Sequence, residues 1–175
     1  MNDDVVGDGV DEVDESLHFR FDPAIYVDFD NPSEDLFKIK EDLEKKIVEF
    51  GVLSLAATQL GYESRVFAIN TKENDVMCLF NPEIIMMSQD TVPMKEGDVM
   101  FPNLFVTLRR PRFVEIEYYT VDGEKQSIGL DGLAARCVLH ELDSLNGILF
   151  LSRASKLKLR RAVKSKMKRE KFGAA

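Results

Sequence analysis

The sequence predicts one domain that combines α-helices with antiparallel strands. Apolar residues recur every three or four positions over residues 132–147, which indicates one buried helix. Apolar and polar residues alternate over 114–119, as in a half-buried strand, and Asp122-Gly123 after it is typical of a hairpin turn. A chain of 175 residues, 45% of them hydrophobic, is enough for one core with tails.

The elements before and after this hairpin follow from the same periodicities. Ser33 is a candidate helix cap, and the apolar stripe that follows it ends at Gly51. The charged segment 96–102 is expected to be a loop, and the basic segment 154–171 a terminal helix. Three further strands are predicted at residues 65–70, 77–80 and 83–87.

The charge distribution divides the chain into three parts. Residues 1–15 carry seven acidic residues and no basic one, whereas residues 153–171 carry ten basic residues and one acidic one. We therefore expect an acidic N-terminal tail, a folded domain and a basic C-terminal helix and tail, at residues 1–17, 18–152 and 153–175. Since no apolar run is long enough to cross a bilayer, no membrane partner is expected.

The buried helix carries the strongest chemical signal. His140-Glu141 is the first half of H-E-x-x-H, in which two histidines on one helix face bind a metal and the Glu handles the proton. Ser144 stands at the second histidine position, and a neutral hydroxyl is a poor ligand there. Gln59 is a polar residue in an apolar run, which fits a satisfied buried amide and a site residue equally well.

Three separated segments, at residues 54–59, 96–100 and 140–144, resemble the three motifs of the peptide deformylase family in order and spacing. The family patterns are G-x-G-L-A-A-x-Q, E-G-C-L-S and H-E-x-D-H. The resemblance extends over roughly residues 22–170. It implies an α+β fold, with antiparallel sheets packed around a central helix and a C-terminal helix at the end.

The resemblance also implies a chemistry, the removal of the formyl group from the N-formylmethionine of nascent chains. In the family a metal-bound water attacks the formyl carbon. The motif positions make Glu141 the proton shuttle, with Gln59 and the backbone N–H of Val99 as donors to the oxyanion. The metal-ligand positions of the family fall at Asp98, His140 and Ser144.

The chain departs from the family pattern at the residues that matter most for catalysis. Asp98 replaces the Cys ligand, Ser144 replaces the second His ligand, and Val52 and Ser54 replace two glycines. We therefore expect a degenerate member without a bound metal and without deformylase activity, a structural or interaction subunit of a larger assembly. Residues 101–106 look like short phage-type deformylases, which suggests a virion as that assembly.

Two alternatives remain open. The chain is an active, metal-dependent deformylase if Asp98 rebuilds the site, and zinc or Fe(II) is then its cofactor. Otherwise it is a ribosome- or RNA-associated protein that binds through the basic helix. The expected location is the cytoplasm, or a virion if the protein is encoded by a phage.

Overall fold

The computed structural model of the protein describes residues 22–71 and 75–171. The predicted acidic tail at residues 1–17 lies outside these residues, as does His18. The helices are α1 (Leu36–Glu49), α2 (Gly132–Leu145) and α3 (Lys156–Lys171), with short 3-10 turns at Ala57–Leu60 and Phe150–Arg153. The strands are β1 (Ser54–Ala56), β2 (Val66–Asn70), β3 (Val76–Met87), β4 (Thr91–Glu96), β5 (Val106–Pro111), β6 (Phe113–Tyr119) and β7 (Lys125–Asp131).

The strands form two antiparallel sheets. The larger sheet has the order β1-β2-β3-β6-β7, and the smaller one consists of β4 and β5. Helix α2 packs on one face of the larger sheet and α1 on the other. The arrangement confirms the expected α+β fold, with antiparallel sheets around a central helix and a C-terminal helix. No helix in the two described ranges is both long and apolar enough to span a bilayer.

Strand β2 separates the two apolar layers of the core. Phe67 and Ile69 point to α2, whereas Val66 and Ala68 point to α1, as the period of two along a strand requires. Both faces of β2 are therefore buried. The strand fixes α2 in the centre of the molecule, and α2 carries the site.

Helix α1 begins two residues later than the sequence indicates. Asp35, rather than Ser33, occupies the cap position, and its carboxylate accepts a hydrogen bond from Lys38 N at 3.1 Å. Five residues were predicted to form the apolar stripe. Leu36, Ile39, Leu43 and Ile47 are buried, and the fifth, Phe50, is the C-cap and is partly buried. Both side chains are good caps, so the sequence alone does not distinguish them.

Strand β3 is one continuous strand, where the sequence indicated two strands with a break at Asn81-Pro82. The break was expected because proline has no N–H to donate to a sheet. Asn81 takes a positive φ of 47°, and its side-chain amide bonds to both the N–H and the carbonyl of Val27, at 2.7 and 2.8 Å. These bonds to a neighbouring segment hold the irregular position, and the ladder to β6 continues past it with register shifts.

The C-terminal helix packs on the smaller sheet, and Ala162 is its one buried residue. Ala162 is buried in an apolar cluster with Leu104, Val106, Leu108 and Phe150. The predicted terminal helix over 154–171 is thus confirmed, beginning at Lys156.

A buried ionic cluster joins the smaller sheet to α2. Glu96, at the end of β4, accepts hydrogen bonds from Arg110 Nε and Nη2 at 2.7 and 2.8 Å, and from Arg136 of α2. Arg110 Nη1 also donates to Asp143 Oδ2 at 2.7 Å. Arg153, which follows α2, binds the same Asp143. Burying these charges is costly, but removing one partner leaves the others uncompensated.

Ala162→Glu is expected to detach α3 and destabilise the protein by about 2 kcal/mol, because it buries a carboxylate among apolar side chains. Chemical unfolding and hydrogen exchange across residues 156–171 measure the effect. Met167→Glu, which adds the same charge at a position 63% exposed, is the matched control and should cost less than about 0.5 kcal/mol. Equal effects of the two substitutions would contradict docking through Ala162.

Glu96→Gln is expected to destabilise the protein by about 3–5 kcal/mol, because Arg110 and Arg136 keep their buried charges and lose their shared carboxylate. Urea unfolding at neutral pH measures this loss. Glu117→Gln removes an exposed ion pair with Lys125 and should cost less than about 1 kcal/mol. A similar loss for both variants would show that the buried cluster contributes no more than a surface pair.

Candidate active site

Helix α2 forms the floor of a cleft whose walls come from the other two motif segments. The cleft has a volume of about 440 Å³. Among its lining residues are His140 and Glu141 of α2, Asp98 of the loop after β4, and Ser54 and Gln59 from the β1 region. The three sequence motifs therefore meet at one place.

His140 lies between two carboxylates. Its Nδ1 is 3.1 Å from Glu96 Oε2, and its Nε2 is 3.2 Å from Asp98 Oδ2. Each contact lies within hydrogen-bond distance, and a protonated ring donates from both of its nitrogens in this position. Burial alone would lower the pKa of His140, but the hydrogen bonds to Asp98 and Glu96 outweigh it and raise the pKa to about 10. The centre of the cleft thus contains a side-chain cation.

The carboxylate of Glu96 is what holds this ring in place. Burial raises the pKa of Glu96, but hydrogen bonds from His140 and Arg110 outweigh that effect and bring the pKa to about 2. Glu96 is therefore ionised at neutral pH and accepts from Nδ1, which leaves Nε2 facing the cleft.

Asp98 has donors on both of its oxygens. Gln59 Nε2 donates to Oδ1 at 3.0 Å, and the backbone N–H of Met100 donates to the same oxygen at 2.8 Å. Oδ2 accepts from His140. The other end of the Gln59 amide accepts from Ala56 N at 2.9 Å, so the orientation of this amide is fixed by its partners. Gln59, Met100 and His140 therefore all bind the carboxylate of Asp98.

The metal implied by the family resemblance does not fit the side chains present. In the described ranges, no group of three or more His, Cys, Asp or Glu side chains is placed to hold a metal ion. Asp98 and His140 supply one carboxylate and one imidazole, and these bind each other. Ser144 lies one helical turn after His140, but its hydroxyl donates to the carbonyl of His140 at 3.4 Å. A neutral hydroxyl turned to its own helix does not complete a site for zinc or Fe(II).

Within residues 22–71 and 75–171, the carboxyl group of Glu141 has one hydrogen-bond partner. Ser54 Oγ donates to Glu141 Oε1 at 2.6 Å, whereas Oε2 is buried and has no partner among the described residues. Burial raises the pKa of Glu141 to about 7, against the opposing effects of His140 and Ser54. This carboxyl group is 2% exposed and lines the cleft.

The walls of the cleft are apolar near its opening. Leu53, Phe105 and Leu133 all line the cleft and are each about half exposed. Phe105 packs directly on Gly97, where an added Cβ would lie 2.7 Å from the ring. A side chain at position 97 would therefore displace this wall.

The structure brings together Gln59, Asp98, His140 and Glu141, all of which the motifs single out, and the catalytic and ligand roles expected for them stay predictions. Val99 packs its side chain against the cluster beneath α1, and the N–H of the following residue binds Asp98.

Sequence reasoning missed the buried ionic cluster that supports the site. The sequence analysis assigned no role to Arg110 or Arg136. The alternation of Val106, Leu108 and Arg110, which all point inward along β5, was the available signal. Ser54 was noted only as a lost glycine, and its bond to Glu141 joins residues 87 positions apart.

Comparison with known proteins agrees with the fold and the motifs. A family model described as polypeptide deformylase matches residues 15–160. A peptide deformylase of Wolbachia sp. subsp. Brugia malayi (strain TRS) is 35% identical over 150 residues, covering 77% of this chain and 82% of the relative.

Solved structures show the same likeness. A peptide deformylase from Synechococcus elongatus, in complex with actinonin, matches with a TM-score of 0.78 and 29% identity over 89% of each chain. A Met-Ala-Ser-bound class I type b peptide deformylase from Acinetobacter baumannii matches with a TM-score of 0.72 and 26% identity, over 79% of this chain and 97% of the other. The chain belongs to the peptide deformylase family.

Proposed function

We propose that this chain binds a polypeptide N-terminus in its cleft without hydrolysing it, and serves as an interaction subunit of a larger assembly. The observation that carries the proposal is the environment of Asp98. Its carboxylate accepts hydrogen bonds from Gln59, Met100 and His140. The side chains that hydrolysis would use, Gln59 and His140, are thus hydrogen-bonded to Asp98.

Hydrolysis of a formyl group needs donors that are free to stabilise a developing oxyanion. Gln59 stands at the donor position of the family motif, and its N–H is 3.0 Å from Asp98 Oδ1. The carboxylate of Asp98 is itself an anion bound by these donors. A substrate oxyanion would have to compete with a permanent negative charge, which disfavours the reaction.

Binding of a peptide requires only apolar walls and a few polar groups, and the cleft has both. The apolar side chains of Leu53, Phe105 and Leu133 all line the cleft and are about half exposed. Apolar walls around a few buried polar groups are the usual composition of a ligand site. The supported function is therefore recognition of a peptide with an apolar first side chain.

A second candidate is a metal-dependent peptide deformylase that acts on N-formylmethionine, with zinc or Fe(II) as its cofactor. Family membership and the similarity to proteins named peptide deformylase favour this candidate. His140, Glu141 and Gln59 also stand at their motif positions. The side chains at the three ligand positions, Asp98, His140 and Ser144, favour the non-hydrolytic function. Direct measurement of metal content and activity distinguishes the two candidate functions.

The partners of the protein stay proposals. A contact with the ribosome or RNA through α3 is supported by its nine basic residues. Neither the described residues nor the related proteins point to a phage particle, and the expected virion role stays a prediction, as does the cytoplasmic location.

The purified protein is expected to hold substoichiometric zinc, iron and nickel, because Ser144 is a poor ligand and the carboxylate of Asp98 is already bound by His140 and Gln59. It should release no formate from N-formyl-Met-Ala-Ser, even after incubation with zinc or Fe(II) without oxygen. Elemental analysis and a formate assay measure both, with the Synechococcus elongatus relative as the positive control. Near-stoichiometric metal together with turnover would establish the second candidate instead.

Asp98→Cys combined with Ser144→His is expected to restore zinc binding, because the double variant supplies a thiolate and two imidazoles around one position. Equilibrium dialysis followed by elemental analysis measures the zinc, and each single variant is a control expected to bind less. Zinc uptake without deformylation is the expected result, since side chains at Val52 and Ser54 occupy glycine positions of the motif. No zinc uptake by the double variant would show that the ligand geometry is lost.

A further inference from the structure

A second groove, on a different face of α2 from the cleft, is lined by apolar and basic side chains. It has a volume of about 250 Å³ and lies between the end of β3, β5 and the second half of α2. None of the described residues lines both the groove and the cleft. Ile84 and Met87 of β3 line the groove and are 39% and 52% exposed. The groove is thus an apolar surface that is open to solvent.

The end of β3 is also an open sheet edge. Strand β2 pairs with β3 only over Val76–Phe80, so among the described strands residues 83–87 pair with β6 alone. Proteins usually protect such an edge with charged residues or with a covering segment, because an open apolar strand pairs with other chains. Residues 84–87 are Ile-Ile-Met-Met, all exposed and without a charge. We therefore expect a covering segment at this edge.

The rim of the groove is basic. Arg109 and Arg153 are both exposed there, and Arg110 is buried in the same groove. Asp143 supplies the one carboxylate among the described residues that line it, and it binds both Arg110 and Arg153. The groove thus has a net positive charge, in a chain whose formal net charge is -8. This charge favours an acidic occupant.

The first described residues lie beside this groove. The N–H of Ala24 donates to the carbonyl of Leu145 at 2.7 Å, and the next residue, Asn146, lines the groove. Arg65 is 6% exposed and donates to Asn146 Oδ1 at 2.8 Å, but it has no ion pair within the described ranges. A buried cation without a paired anion adds to the preference for an acidic segment at this place.

Residues 11–21, which precede this point and lie outside the described ranges, have the sequence that such an occupant needs. Leu17, Phe19 and Phe21 alternate with His18 and Arg20, which predicts a strand with one apolar face. Residues 11–15 carry four acidic residues and no basic one. An apolar strand that follows an acidic stretch matches an apolar groove with a basic rim.

We propose that residues 11–21 of this chain dock in the groove and cover the open end of β3. The alternating apolar side chains contact Ile84 and Met87, and the acidic residues lie at the basic rim. Phe21 is three residues before Ala24, at most about 10 Å of extended chain, so the segment reaches the groove. As an added strand, its backbone supplies hydrogen-bond partners on the second side of residues 83–87. The docking does not involve the cleft and is independent of the function of the cleft.

Fluorescence quenching of the full chain tests the proposal with Phe19→Trp as the reporter, because the native sequence contains no tryptophan. Acrylamide should quench this tryptophan at least about threefold less than it does in the same protein unfolded in urea, since a side chain in the groove is removed from water. The protection should not depend on the protein concentration, because the occupant belongs to the same chain.

Two substitutions on β3 provide the matched comparison. Met87→Glu places a charge in the groove and should remove the protection. Met86→Glu changes the neighbouring residue, which is also 52% exposed but does not line the groove, and should leave the protection in place. Met87→Gln and Met86→Gln repeat the comparison without a charge, and thermal unfolding checks that each variant is folded.

The charge of the segment is tested separately. Asp14→Asn combined with Glu15→Gln is expected to weaken the protection without abolishing it, because the apolar contacts remain. Salt at about 1 M shortens the screening length to about 3 Å and should have the same effect on the unsubstituted segment.

Three results would overturn the proposal. The first is a reporter in the full chain that is quenched as readily as in urea. The second is the same loss of protection, or none, from the substitutions at positions 86 and 87. The third is protection that rises with protein concentration, which would assign the groove to a second copy of the chain.

Discussion

The site depends on the hydrogen bonds that the carboxylate of Glu96 accepts. It ends β4, and it accepts hydrogen bonds from Arg110 of β5, Arg136 of α2 and the Nδ1 of His140. One buried anion thus ties the smaller sheet to the central helix and sets the direction of the imidazole. Because buried charges are stable only with their partners, the cluster forms as a unit.

The fixed imidazole explains why Asp98 lies where it does. With Nδ1 bound to Glu96, the Nε2 of His140 is directed at the cleft, and a cation at this point attracts an anion. Asp98 supplies that anion, and the Gln59 amide and a backbone N–H complete its hydrogen bonds. An ion pair between side chains thus occupies the position at which the family pattern places a metal and its thiolate ligand. The fold and the cleft are kept, while the residues at two motif positions, Asp98 and Ser144, differ from the family pattern.

The sequence predicts the parts of the molecule that depend on local periodicity. The buried helix α2 and the β6-β7 hairpin follow from apolar spacing and an Asp-Gly turn, and the motifs identify Gln59, Asp98 and His140 as neighbours. The smaller sheet was missed because β4 contains Pro93 and ends in charged residues, which resemble a loop. Its strands depend on the ionic cluster for burial, and that cluster joins Glu96 to partners up to 44 positions away.

We propose that His140 is an imidazolium bound by two carboxylates and does not act as a metal ligand. Nitrogen-15 NMR of the imidazole tests it most directly, in a His18→Asn variant that leaves His140 as the single histidine. The account predicts that both ring nitrogens carry protons at neutral pH, and that an equimolar amount of zinc changes neither resonance. An Nε2 that lacks a proton and shifts when zinc is added would contradict it.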